Sequence, residues 1–144
     1  MQLNKILCAV DLTEHSKQVA EIAAMLAKST GSRLIIIYVV PSLNHISLVS
    51  QATADKFVDE VMSGAEKAIE TFVAENFAGL QVTAKVIVGY AAEEIIAHAD
   101  QERVDMIVMG THGRKGLDRI LFGSVAEKVV RNAQQPVLTI RPAR

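Results

Sequence analysis

The sequence predicts an α/β fold built on an open parallel sheet with helices on both faces. Short apolar runs of strand length alternate along the chain with segments of helical period, five of the first and four of the second. Most of those runs are apolar throughout, as strands covered on both faces require. At 144 residues, half of them hydrophobic, the chain is sized for one domain over residues 1–144 with a substantial core.

"KILCAV" (5–10) is a short apolar run and reads as a buried strand, with Cys8 a small core residue inside it. In "SKQVAEIAAMLAKS", Val19, Ile22, Ala23 and Leu26 recur at i, i+3, i+4 and i+7, one face of a helix. Gly31 stops that helix and Lys28 lies in its last turn. "RLIIIYVV" (33–40) is a second buried strand, and residues 41–50, with Pro41, Asn44 and several serines, read as a loop. A long helix follows with Phe57, Val61, Ala65, Ala68, Ile69 and Phe72 on one side. "LQVTAKVIV" (80–88) alternates Leu80, Val82, Ala84, Val86 and Val88 with Gln81, Thr83 and Lys85. One face is therefore wetter, as suits a sheet edge. "AAEEIIAHADQ" reads as a short helix, "DMIVMG" (105–110) as a buried strand and "SVAEKVVRNA" as a helix. "PVLTIR" (136–141) is the last strand, and Pro136 fits its beginning or a sheet edge.

Composition excludes several classes of function. Charged residues make up 22% of the chain and the net charge is −1, so no overall field draws it to nucleic acid or to an anionic membrane. The N-terminal apolar run ends at Asp11, too short for a signal peptide, and no run reaches the roughly 20 residues of a membrane span. A single cysteine forms no internal disulfide, which fits a reducing compartment. The expected location is the cytoplasm. His15, His45 and His98 read as surface residues, and no metal-ligand spacing links them.

In open parallel sheets, ligands bind beyond the carboxyl ends of the strands, where the winding reverses. That points to residues 11–13, residues 39–41 and the loop that begins at Gly110. The loop holds Gly110, Gly113, Gly116 and Gly123 between a buried strand and a helix. The first amides of a helix lack internal partners and carry the positive end of its dipole, while glycines let a ligand approach the backbone. Together they make an anion cradle, and Arg114, Lys115 and Arg119 add positive charge. A second reading stands beside this one. "SVAE", Ser124 to Glu127, has the form of a capping box that satisfies the same amides internally, and surface glycines also serve turns. Asp11 and Thr13 likewise read either as ligand contacts or as N-caps of the following helix.

The spacing of the glycines carries further information. Gly110-x2-Gly113-x9-Gly123-Ser124 is the pattern G-x2-G-x9-G-[ST], which resembles the nucleotide-binding signature of the universal stress protein family. "KILCAVDLTEHS" resembles that family's opening strand and acidic turn, and "GTHGRKGLDRILFGSVAEKVVRNAQQPVLTIRP" its closing third. The resemblance implies a doubly wound, Rossmann-like sheet of the adenine nucleotide alpha hydrolase type, in the strand order 3-2-1-4-5. It implies binding of ATP or AMP, with Mg2+ able to arrive alongside ATP.

By the same resemblance Asp11 contacts the adenosine part, and Ala9, Val10 and Val39 line the adenine pocket. Met109 and Gly110 lie beside the ribose and phosphates. Gly113, Gly123, Ser124 and Val125 hold the phosphates, with His112 and Arg114 as further candidate contacts, and Gly116 serves as a loop turn. A homodimer pairing the last strands through Val137, Leu138, Thr139 and Ile140 is also implied, and an exposed edge strand supports it. Many relatives carry proline at the position of Ala9 and after the third-strand glycine, where this chain has "GYAAEE". Neither departure removes a proposed contact.

The function so expected is that of an adenine-nucleotide-binding stress or regulatory protein with no catalytic residue. The alternative is a slow ATP hydrolase or adenylate-transferring enzyme using Asp11, His112 and Ser124. A nucleophile there needs an oriented base, and no lysine stands where a Walker motif places one.

Overall fold

The computed structural model describes residues 1–42, 50–111 and 123–143. Among these, five strands alternate with four helices: β1 (Lys5–Val10), α1 (Glu14–Thr30), β2 (Arg33–Pro41), α2 (Gln51–Asn76), β3 (Val82–Gly89), α3 (Ala91–Gln101), β4 (Met106–Gly110), α4 (Ser124–Asn132) and β5 (Val137–Ile140). The strands form one sheet in the order β3-β2-β1-β4-β5, and every pairing is parallel. The winding reverses between β1 and β4.

The continuous apolar runs follow from the two-period of a strand between two helical layers. Ile6, Cys8 and Val10 of β1 face one way and pack with Leu34, Ile36 and Val108 beneath α1 and α2. Leu7 faces the other way and packs with Ile35, Ile37, Ile107 and Met109 beneath α3 and α4. Full burial of each such Leu or Ile stabilises the fold by about 1.5–3 kcal/mol. Cys8 is fully buried, and desolvation pushes its thiol up to about 12, as a core residue requires.

The buried face of α1 carries Ala20, Ala23, Ala24 and Ala27, small side chains that let the helix lie close to the sheet. It ends at Gly31, whose φ of 73° is left-handed and whose N–H donates to Ala27 O at 2.8 Å. The Ser50 hydroxyl caps α2 by accepting from Thr53 N–H at 3.3 Å. Ala65 and Ile69 are buried, and Phe72 meets Phe77 edge-on with ring centroids 6.1 Å apart. The expected apolar side of this helix needs correction at two positions. Phe57 is 51% exposed because only the C-terminal half of α2 packs on the core, and Ala68 is exposed outside that stripe.

β3 is an edge strand, as its alternation implies. Its inward expectation fails at Ala84, which is exposed because an edge strand is only partly roofed. Lys85 is half-buried there and pairs with Glu102. The other edge is β5, where Val137, Leu138 and Thr139 are half-exposed while Ile140 is buried in this chain's own core. No helix among the described residues is long and apolar enough to cross a membrane.

Candidate functional site

Strand register gathers the residues singled out above. Val10 pairs with Tyr38, Ala9 with Met109, and Gly110 with Ile140. Asp11 therefore leaves β1 level with Val39 of β2 and with Thr111, one residue past Gly110 of β4, at the reversal point. The half-buried apolar residues Ala9, Val39, Ile87 and Val125 lie on the α3/α4 side of the sheet, over buried Met109. Val10 turns its side chain away from that strip, which leaves its backbone as the part that can face it. Side chains alternate along a strand, so it points to the α1/α2 side and is buried there.

Asp11 makes a tight turn into α1. Its Oδ1 accepts from Thr13 N–H at 3.1 Å, Thr13 Oγ1 at 2.6 Å and Ser16 Oγ at 2.7 Å. The Asp11 N–H donates to Ser16 Oγ at 3.2 Å. Between Asp11 and Thr13, Leu12 has a φ of 61°, a left-handed value costing an L-residue about 1–2 kcal/mol. Thr13 holds the N-cap position with extended backbone but makes no side-chain cap bond, because its hydroxyl is given to Asp11.

The start of α4 bears on the capping-box reading of "SVAE". Gly123, with φ −71° and ψ 167°, is the N-cap, and among the described residues no side chain caps the helix. The capping-box expectation is therefore corrected. Ser124 is already the first helical residue, so its hydroxyl is not in cap position, and Glu127 N–H bonds to Gly123 O at 3.0 Å. The Gly123 N–H donates to Thr111 O at 2.6 Å, so it is engaged within the chain rather than open to a phosphate. The amides that follow it, of Ser124 and Val125, point out of the first turn with no capping side chain among the described residues.

Thr111, 2% exposed, links two further elements, since its own N–H donates to Ile140 O at 3.0 Å. The same carbonyl lies 3.0 Å from His15 Nε2. His15 is therefore half-buried at the foot of α1, not a surface residue as expected. His98 is also half-buried, with Nδ1 2.9 Å from Glu94 O. His45, His112, Gly113, Arg114, Lys115, Gly116 and Arg119 lie outside the described residues. Among the described residues, no group of three or more His, Cys, Asp or Glu side chains could hold a metal ion.

Sequence reasoning missed Ser16 and Thr111. Ser16 carried a signal, because it continues the α1 stripe of Val19, Ala20 and Ala23, where a buried hydroxyl needs a partner.

The universal stress protein family matches this sequence over residues 2–141. The chain belongs to that family. Universal stress protein MJ0531 of Methanocaldococcus jannaschii is 32% identical over 139 residues, spanning 95% of this chain and 81% of that protein. Among solved structures, protein MJ0577 of the same organism superimposes with a TM-score of 0.90 at 26% identity, over 100% of this chain and 99% of that one. The universal stress protein from Archaeoglobus fulgidus, solved in complex with dAMP, has a TM-score of 0.63 at 24% identity, over 97% and 99% of the two chains. The sheet order of this universal stress protein is thus the Rossmann-like order of its structural relatives.

Proposed function

We propose that this universal stress protein binds an adenine nucleotide, ATP or AMP, as a regulatory or stress-response protein of one domain in the cytoplasm. The observation that carries the reading is the start of α4, which no side chain among the described residues caps, at the end of the Gly110–Ser124 motif and bonded back to Thr111 at the end of β4. The site's donor set fits the ligand. The Ser124 and Val125 amides and the helix dipole suit phosphate, with the Ser124 hydroxyl a further donor. The half-buried apolar strip of Ala9 and Val39 suits an adenine ring, and Asp11 is an acceptor for adenosine donors. Gly110 and Gly123 carry no side chain to obstruct the approach, and Gly113, His112 and Arg114 of the intervening loop complete the proposed contacts. A nucleotide bound as ATP brings Mg2+ held by its own phosphates and water. Support also comes from the A. fulgidus protein, since a sheet of this type holds dAMP there.

The role is binding rather than catalysis. A serine nucleophile needs an oriented base in hydrogen-bond reach, and among the described residues no hydrogen bond joins Ser124 to Asp11, whose Oδ1 is held by Thr13 and Ser16. Mass spectrometry of nucleotide released from the purified protein, followed by a single-turnover ATP assay, tests both statements. ATP or AMP is expected in the released fraction, with no turnover beyond slow hydrolysis. Protein free of nucleotide that also fails to bind added ATP or AMP would sink the reading.

A further inference from the structure

We infer that Ser16 is a positioning residue for Asp11, one that fixes the orientation in which its carboxylate meets the nucleotide. This rests on the nucleotide reading above. Ser16 is 2% exposed and grips Asp11 at two points, donating to Oδ1 at 2.7 Å and accepting from the Asp11 N–H at 3.2 Å. Thr13 adds two donors to the same oxygen. All the hydrogen bonds that described residues give this carboxylate land on Oδ1, and Oδ2 takes none. The terminal torsion of an aspartate is otherwise broad, so an unheld carboxylate presents its acceptors over a wide range of orientations. Three donors on one oxygen hold the plane of the carboxylate and leave the other oxygen, Oδ2, as an acceptor in a fixed direction. A fixed acceptor spares a ligand the entropy of ordering it. The left-handed Leu12 belongs to the same arrangement, because the turn that carries Asp11 back onto Thr13 and Ser16 passes through it.

The bland alternative is that these bonds only start α1. The two separate in a double-mutant cycle, because a residue acting through Asp11 has nothing left to act on once Asp11 is removed. ATP affinity is measured by titration calorimetry on the full chain as wild type, Ser16→Ala, Asp11→Ala and the double variant, each checked for folding by thermal melting. Ser16→Ala is expected to weaken ATP binding about tenfold in the wild-type background. In the Asp11→Ala background the further loss is expected to stay under about twofold. Should Ser16→Ala fail to fold, Thr13→Val, at a half-buried position, enters the same cycle with the same expectation. Equal losses in both backgrounds overturn the inference and make Ser16 purely structural. So does full affinity in a folded Ser16→Ala protein when Asp11→Ala is impaired. Full affinity in Asp11→Ala itself overturns the placement of Asp11 at the ligand, and the inference with it.

Discussion

At Gly123 the backbone has ordinary extended angles, φ −71° and ψ 167°, so a Cβ there meets no conformational penalty. Gly123→Val should therefore fold, at a cost of about 1 kcal/mol for a poor N-cap residue. If phosphate lies against this corner, the branched side chain occupies its place, and stabilisation by ATP should vanish in thermal melts. Ser124→Ala should behave differently. Because Gly123 holds the cap position, the change should leave stability without ligand within about 0.5 kcal/mol. Loss of its hydroxyl should weaken ATP binding by roughly 0.5–1.5 kcal/mol, or up to about 3 if it meets a charged phosphate. Calorimetry and melting on both variants check the pair. Wild-type ATP affinity in a folded Gly123→Val protein would remove phosphate from this corner. "SVAE" misled because a four-residue pattern does not say where helical angles begin. An extended residue just before it moved the cap back by one.

Most elements were legible because burial on two faces writes itself as an uninterrupted apolar run. "RLIIIYVV" has no polar position for that reason, and the run from Leu34 to Ile37 is indeed buried on both faces. The edges were legible from the opposite sign, wetness in β3 and brevity in β5. What escaped was anything that depends on how far a neighbour reaches. The exposure of Phe57 follows from where α2 leaves the core, and the half-burial of His15 from the end of β5. Within the site, the glycine spacing was legible, whereas the hold of Ser16 on Asp11 needs three dimensions. The β5 edge carries its own prediction. We propose that the protein is a homodimer through this strand, with Val137, Leu138 and Thr139 at the contact. Ile140 is removed from the expected set because its side chain is buried and its carbonyl already accepts from Thr111. Thr139→Lys adds an edge charge at a half-exposed position, leaving the core alone. Light scattering at micromolar concentration should give a dimer mass for the wild type and a monomer mass for this variant. Equal masses would place the interface elsewhere.

Across the whole molecule, three carboxylates tie together elements distant in sequence, and all three titrate below their ordinary range. Asp105, at the entry to β4, is lowered chiefly by the Lys5 N–H and then by the Asn4 N–H, at 2.9 and 2.8 Å. Glu102, after α3, is lowered by its bond with Lys85 of β3, and Glu93 by its bond with Lys128 of α4. Each has a folded-state value below the ordinary 4.5 for Glu or 3.8 for Asp. The unfolded chain therefore takes up protons first as pH falls, so acidification draws the equilibrium toward unfolding. Their contribution should be complete above about pH 5 and fade as pH falls through 4.5 and 3.8 toward the lower folded-state values. The Glu93–Lys128 pair is exposed and the Glu102–Lys85 pair half-exposed, so salt should screen both, whereas Asp105 acts mainly through backbone donors and should resist screening. Urea unfolding from pH 7 to pH 3 in low salt and in about 1 M salt separates the two kinds. Asp105→Ala should be less stable than wild type at pH 7 in both salts and should decline less steeply below pH 5. Parallel curves for variant and wild type would mean that the joint between the starts of β1 and β4 does not depend on this carboxylate's charge.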